Sequence, residues 1–177
     1  GGRRPGAERG GSRRDAKRQW PYFGEFGGEE THWLAPDYYQ EDPGPVLALR
    51  AAPTNIGLQL LSTVSAVDLG FITRSDMIDR VEKVFRSLER MRRFHGHFFN
   101  WYDLSELRVL EPAYVSTVDS GNFAGHLIAL NQACFEMLKD PTCPESDAKR
   151  LKPIAERAHP YAVEMNFRFL FDEKRKL

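Results

Sequence analysis

Apolar residues recur at helical spacing through most of this 177-residue chain and almost nowhere alternate as a strand would. From Asn55 to Val67, Ile56, Leu60, Val64 and Val67 form one stripe, with Thr54 as an N-cap and Gly70 as a stop. A second helix is predicted from about Ser75 to Arg93. Ile78, Val81, Val84, Phe85, Leu88 and Met91 line one side of it, and Asp79, Glu82, Lys83, Arg86, Glu89 and Arg90 fill the other. The third begins around Gly121, carries Phe123, Leu127, Leu130, Cys134, Met137 and Leu138 toward a core, and stops before Asp140-Pro141. A weaker fourth helix covers Ser146 to Glu164, interrupted or bent at Pro153 and Pro160, and Phe167 to Phe171 alternates like a short strand or lead-in segment. Residues 20–52 mix Pro, Gly, aromatic and acidic side chains without a period, and read as ordered but irregular. The fold class is therefore mainly α: helical hairpins joined by long loops.

Two of those loops carry candidate chemistry. Glu111 to Leu127 is a polar stretch running into the third helix, where Asp119, Ser120 and Asn122 place a carboxylate, a hydroxyl and an amide around Gly121. One of them is expected to cap the helix while the others face outward, with the helix dipole favouring the Asp119 anion. Upstream, His95 to Asp103 contains Asn100, Trp101, Tyr102 and Asp103. Such a mixture suits a sugar, whose C–H faces stack on aromatic rings while its hydroxyls bond amides and carboxylates. Trp101 is equally able to wedge its loop onto the core, and Asn100 to hold the loop through its own backbone. His95 and His97 flank Gly96 without the further ligands that zinc requires, and together with His32 and His126 read as structural. No metal and no cofactor is expected in this segment.

The formal net charge of zero hides an asymmetry. Residues 1–19 hold seven Arg or Lys against two acidic residues and almost no apolar side chain, so a disordered basic leader is expected. It carries no aromatic to stack on bases, which argues against a nucleic-acid partner. Cys134 and Cys143 match no zinc or redox spacing, and free thiols are expected. No run of about 18 apolar residues occurs, so no direct membrane span is predicted.

The same residues resemble a known family. Trp20-Pro-Tyr-Phe-Gly-Glu-Phe, His32 to Pro43, Ala52-Pro-Thr-Asn-Ile-Gly-Leu-Gln-Leu-Leu-Ser-Thr-Val64, Gly96 to Asp103 and Glu111 to Leu127 are similar, in order, to the central region of bacterial cyclic β-1,2-glucan synthases. That likeness covers roughly residues 19–138, and Met165 to Asp172 resembles the opening of the glycoamylase-like portion that follows in those enzymes. A departure is the short stretch between Leu138 and Met165; the basic leader has no counterpart.

The resemblance implies a fragment of an incomplete (α/α)6 toroid: after the leader over 1–19 read from composition, a partial glucan-binding region over 20–164 and the truncated start of the glycoamylase-like portion over 165–177. It further implies a parent with a nucleotide-glucose-dependent glycosyltransferase in another module, working at the cytoplasmic side of the bacterial inner membrane. In that parent this region serves the module that closes the glucan ring by transglycosylation. Its partners would be the β-1,2-glucan chain and the rest of the polypeptide. The main catalytic acids would lie in the glycoamylase-like portion, so no catalytic residue is assigned here. The alternative is a free-standing helical carbohydrate- or protein-binding module without catalysis. An incomplete barrel would also leave apolar surface uncovered on the helices near Asn55, Ser75 and Gly121.

Overall fold

The computed structural model describes residues 5–170; the leader's first residues and the last seven, 171–177, of the expected glycoamylase-like start lie outside them. Five helices carry the fold: α1 (Pro5–Glu25), α2 (Pro53–Asp68), α3 (Arg74–Arg90), α4 (Thr117–Lys139) and α5 (Glu145–Val163). Helices α2 and α3 form one hairpin, and α4 and α5 a second. The hairpins lie side by side. Thr54 of α2 bonds Asp119 of α4 while Gly57 abuts His126, so these two helices run parallel. On the other layer Arg150 of α5 bridges Asp79 and Glu82 of α3, and Arg157 reaches Glu89, which makes α3 and α5 parallel too. Two parallel helices backed by two parallel helices of opposite sense make two consecutive hairpins side by side, the arrangement the resemblance implies.

The core lies between these layers, where Ile56, Leu60, Ile78, Val81, Phe85, Leu88, Phe123, Leu127, Leu130, Leu151 and Ala155 are almost completely buried. All three stripes read from the sequence supply it. Their boundaries shift for local reasons. Helix α2 starts at Pro53, a residue pre-set for the first helical position, and the Asn55 side chain accepts from the Ala52 N–H (2.9 Å). Helix α3 is capped by Thr73 in a reciprocal capping box with Asp76. Helix α4 begins four residues before Gly121, because Ser116 Oγ accepts the Asp119 N–H (3.1 Å). Helix α5 passes through Pro153 and Pro160 without the expected interruption: both rings are exposed, so the carbonyls they leave free face water.

The leader is described from Pro5, where α1 begins. The aromatic end of α1 supplies the anchor: the Arg80 guanidinium lies over Trp20 (5.4 Å), and the Tyr22 hydroxyl donates to Pro36 O (2.8 Å). Helix propagates readily from a fixed turn, because nucleation is the costly step. Residues 167–170, read as a possible strand, form a 3-10 turn (Phe167–Leu170) with no strand partner.

Short strand pairs fasten the loops. β1 (Tyr39–Gln40) pairs antiparallel with β2 (Val46–Leu47), and β4 (Arg93–Phe94) with β5 (His97–Phe98). Between β4 and β5, His95 and Gly96 take positive φ (49° and 82°), as a two-residue hairpin turn requires. A Cβ on Gly96 would meet Glu164 O at 2.1 Å, so the turn sits directly on the end of α5. β3 (Arg50–Ala51) pairs with β6 (Tyr102–Asp103), joining the chain just before α2 to the chain just after the first hairpin. Part of the outer faces of α2 and α4 stays uncovered: Leu58, Val118, Ile128 and Phe135 are exposed, Val118 at 71%. No helix among the described residues is long and apolar enough to cross a membrane.

Candidate functional site at the loop end of the toroid

Helices α2 and α4 present their N-termini side by side, so two sets of unpaired N–H groups and two positive dipole ends share one surface. The β3–β6 pairing brings the loop after the first hairpin to the same end. Both candidate loops therefore converge there, and hydrogen bonds between side chains join them.

Asp119 is the centre of that network. Because Ser116 caps α4, the Asp119 carboxylate is free to point across to α2, where Thr54 Oγ1 donates to its Oδ1 (2.7 Å). Asn122 Nδ2 donates to the same Thr54 oxygen (3.3 Å). Asn100 links the carboxylate to the upstream loop. In the orientation its neighbours dictate, its amide nitrogen donates to Asp119 Oδ2 (2.9 Å). Its oxygen accepts from Trp101 Nε1 (2.6 Å) and from the Tyr114 hydroxyl (2.6 Å). The opposite orientation would set the amide oxygen against a carboxylate and its N–H groups against an indole N–H. The Asn100 backbone N–H also donates to Tyr114 O (2.8 Å), so this buried residue clasps the second loop twice.

The other candidates take different places. Tyr102 is fully buried; its hydroxyl donates to Arg92 O (2.5 Å) and accepts from Phe99 N (2.8 Å), and burial raises its pKa. It belongs to the core, because β6 alternates and the pairing with β3 fixes Tyr102 on the inward side. Asp103 holds a turn: its Oδ1 accepts from the N–H groups of Ser105 (2.8 Å) and Glu106 (3.0 Å). Ser120 is buried and bonds His97 Nδ1 (2.8 Å), which gives that histidine a structural place tying β5 to α4. Trp101 is half-buried, and the Arg50 guanidinium, itself paired with Asp37 (3.1 Å), covers one face of its ring at 4.3 Å. Asn122 and part of Asp119 stay accessible.

The structure adds Thr54, Tyr114 and Arg50 to the site. Thr54 reads as an N-cap in sequence, and its reach to Asp119 spans 65 positions that no local pattern reveals. Tyr114 carried a signal as an aromatic residue in the loop leading into α4, and it is 47% exposed.

No protein-family model matches the chain. Over 130 residues, 73% of this chain, it is 48% identical to the cyclic β-(1,2)-glucan synthase NdvB of Rhizobium meliloti. The chain matches a segment of a cyclic β-1,2-glucan synthase. It spans 5% of that relative's length. Among solved structures, a glucoamylase-like protein of Bacteroides caccae superposes on 86% of the chain with a TM-score of 0.68 at 23% identity. The endo-β-1,2-glucanase of Chitinophaga pinensis, solved with sophorotriose and glucose, superposes on 87% with a TM-score of 0.66 at 17% identity. The chain covers 36% of each. These likenesses place the two hairpins in a glucoamylase-like helical toroid of which the chain is a part, as the sequence resemblance implied.

Proposed function

We propose that this chain lines glucan subsites at the mouth of the transglycosylation module of a cyclic β-1,2-glucan synthase. In this reading the acid and base that act on the glycosidic bond come from other parts of the parent polypeptide. The observation that carries it is the Asn100 amide, which holds the Trp101 loop and the Asp119 carboxylate in one polar cluster. An ionised carboxylate has about four acceptor positions. Thr54 and Asn100 occupy two at Asp119, which is partly exposed and keeps acceptor capacity for sugar hydroxyls.

Ring closure by transglycosylation needs a general acid and a nucleophile or base across the bond. Among the carboxylates near this end, Asp103 binds two backbone amides and Glu111 accepts from Ala113 N (2.8 Å), so each already secures its own loop. The chain's contribution is accordingly to bind and orient. The identity to a stretch of a far longer synthase favours this reading over a free-standing module. The nucleotide-glucose donor would act in another module. The parent would work at the cytoplasmic face of the inner membrane, with this segment outside the bilayer.

Calorimetric titration of linear β-1,2-glucan oligosaccharides into the chain tests the reading. Wild type should bind, and Trp101→Ala and Asp119→Ala, with unchanged circular dichroism, should each weaken binding at least about tenfold, the scale of losing a charge-assisted hydrogen bond or an oriented amide. A folded wild type that binds no glucan rules it out.

A further inference from the structure

A sugar-binding mouth needs an aromatic face that is open to solvent and held in a fixed orientation, since an immobile ring loses little freedom when a ligand stacks on it. Six aromatic residues lie between His95 and Asp103 and between Glu111 and Leu127, and five do not qualify: Phe98, Phe99 and Phe123 are buried. Tyr102 is fully buried. Trp101 is half-buried, has one face covered by Arg50, and turns its only polar atom inward to Asn100. Tyr114 meets both requirements. It is 47% exposed, its hydroxyl is anchored on the Asn100 amide oxygen (2.6 Å), and its carbonyl accepts the Asn100 backbone N–H (2.8 Å). A tyrosine fixed at its backbone and at its hydroxyl has the long axis of its ring set from both ends. The amide that fixes it is the one that holds Asp119, so ring and carboxylate keep a constant relation.

The geometry points to Tyr114 as the stacking platform of a glucosyl subsite, with Asp119 and Asn122 meeting the sugar's hydroxyl edge and Trp101 serving to position Asn100 rather than to touch the glucan. This rests on the glucan reading above and makes it specific. Asp119 and the Tyr114 hydroxyl share the Asn100 amide, so a glucosyl unit would stack its C–H face on Tyr114 and turn one edge of hydroxyls to the two helix ends.

The test uses the full chain, linear β-1,2-glucan oligosaccharides as the probe, and two readouts: affinity by calorimetry and the ring-current shift of sugar C–H protons by NMR. Tyr114→Phe keeps the face and removes the hydroxyl anchor, so it should retain the upfield shifts and bind within about threefold of wild type, the scale of one neutral hydrogen bond. Tyr114→Leu keeps apolar bulk without a π face; it should lose the shifts and weaken binding about five- to tenfold, the scale of an aromatic contact. Tyr114→Ala should do the same, and either variant serves if the other fails to fold. Wild-type affinity and shifts in Tyr114→Leu would overturn the platform while leaving the glucan reading intact. A loss in Tyr114→Phe equal to that in Tyr114→Leu would overturn stacking in favour of the hydroxyl. A folded wild type without binding would remove the glucan reading and this inference with it.

Discussion

Gly57 of α2 sits directly against His126 of α4, and replacing it with alanine gives a decisive test of how the two hairpins pack. A Cβ there would stand 2.2 Å from His126 Nδ1, 2.8 Å from its Cγ and 2.9 Å from its Cβ. Non-bonded heavy atoms settle near 3.5 Å, so an overlap of about 1 Å has to be relieved by turning the imidazole or parting the helices. Overpacking of this kind costs about 1–3 kcal/mol. The better helix propensity of alanine offsets about 0.5–1 kcal/mol of that. Gly57→Ala should therefore lose about 1–2 kcal/mol, seen as a lower urea midpoint at constant slope and a fall in Tm of about 2–8 °C. His126→Ala removes the obstacle, and in that background Gly57→Ala should be neutral or stabilising by up to about 1 kcal/mol. An equal loss in both backgrounds, or a gain in the wild-type background, would refute the close approach.

Burial lowers the pKa of His126, so between its folded value and about 6.5 the unfolded chain binds more protons than the folded one. Its stabilising contribution is complete above about pH 6.5 and declines as pH falls through that window. The cost of His126→Ala should accordingly be smaller at pH 5 than at pH 8, and a cost that grows on acidification would contradict this. The Cys134 thiol is buried and pushed up to about 12, whereas Cys143 is partly exposed. A maleimide or disulfide reagent at pH 8 should label one thiol of the native chain and two in denaturant; rapid native labelling of both would show that α4 opens.

The sequence carried the helices well because their apolar stripes are strongly periodic and one core consumes all of them. It carried the site in part. Asp119 and Asn122 stand out locally, and polar residues beside a helix start are what a ligand-facing loop requires. Tyr102 misled because its neighbours Trp101 and Asp103 suit a subsite equally well, and only the pairing of β6 with β3 decides which of the three points inward. Ser120 misled for a similar reason: one turn of α4 sends Asp119 toward the mouth and Ser120 into the core beside His97. Thr54 and Arg50 lay outside reach: Asp119 is brought to Thr54 by the packing of one hairpin on the next, and the Trp101 ring to Arg50 by the pairing of β6 with β3.

The pairing of β3 with β6 has a consequence for how such a toroid can change its length. It brings the start and finish of the first hairpin to one point, so the mouth is fixed by a local clasp and not by the span of the helices below it. The opposite end, where Leu69 to Thr73 turns α2 into α3, is mechanically remote from that clasp. Extra turns of helix, an inserted loop or a cut in the backbone at the far end would then be absorbed away from the loop end, and a chain of such clasped units can accept insertions while keeping a single rim in register.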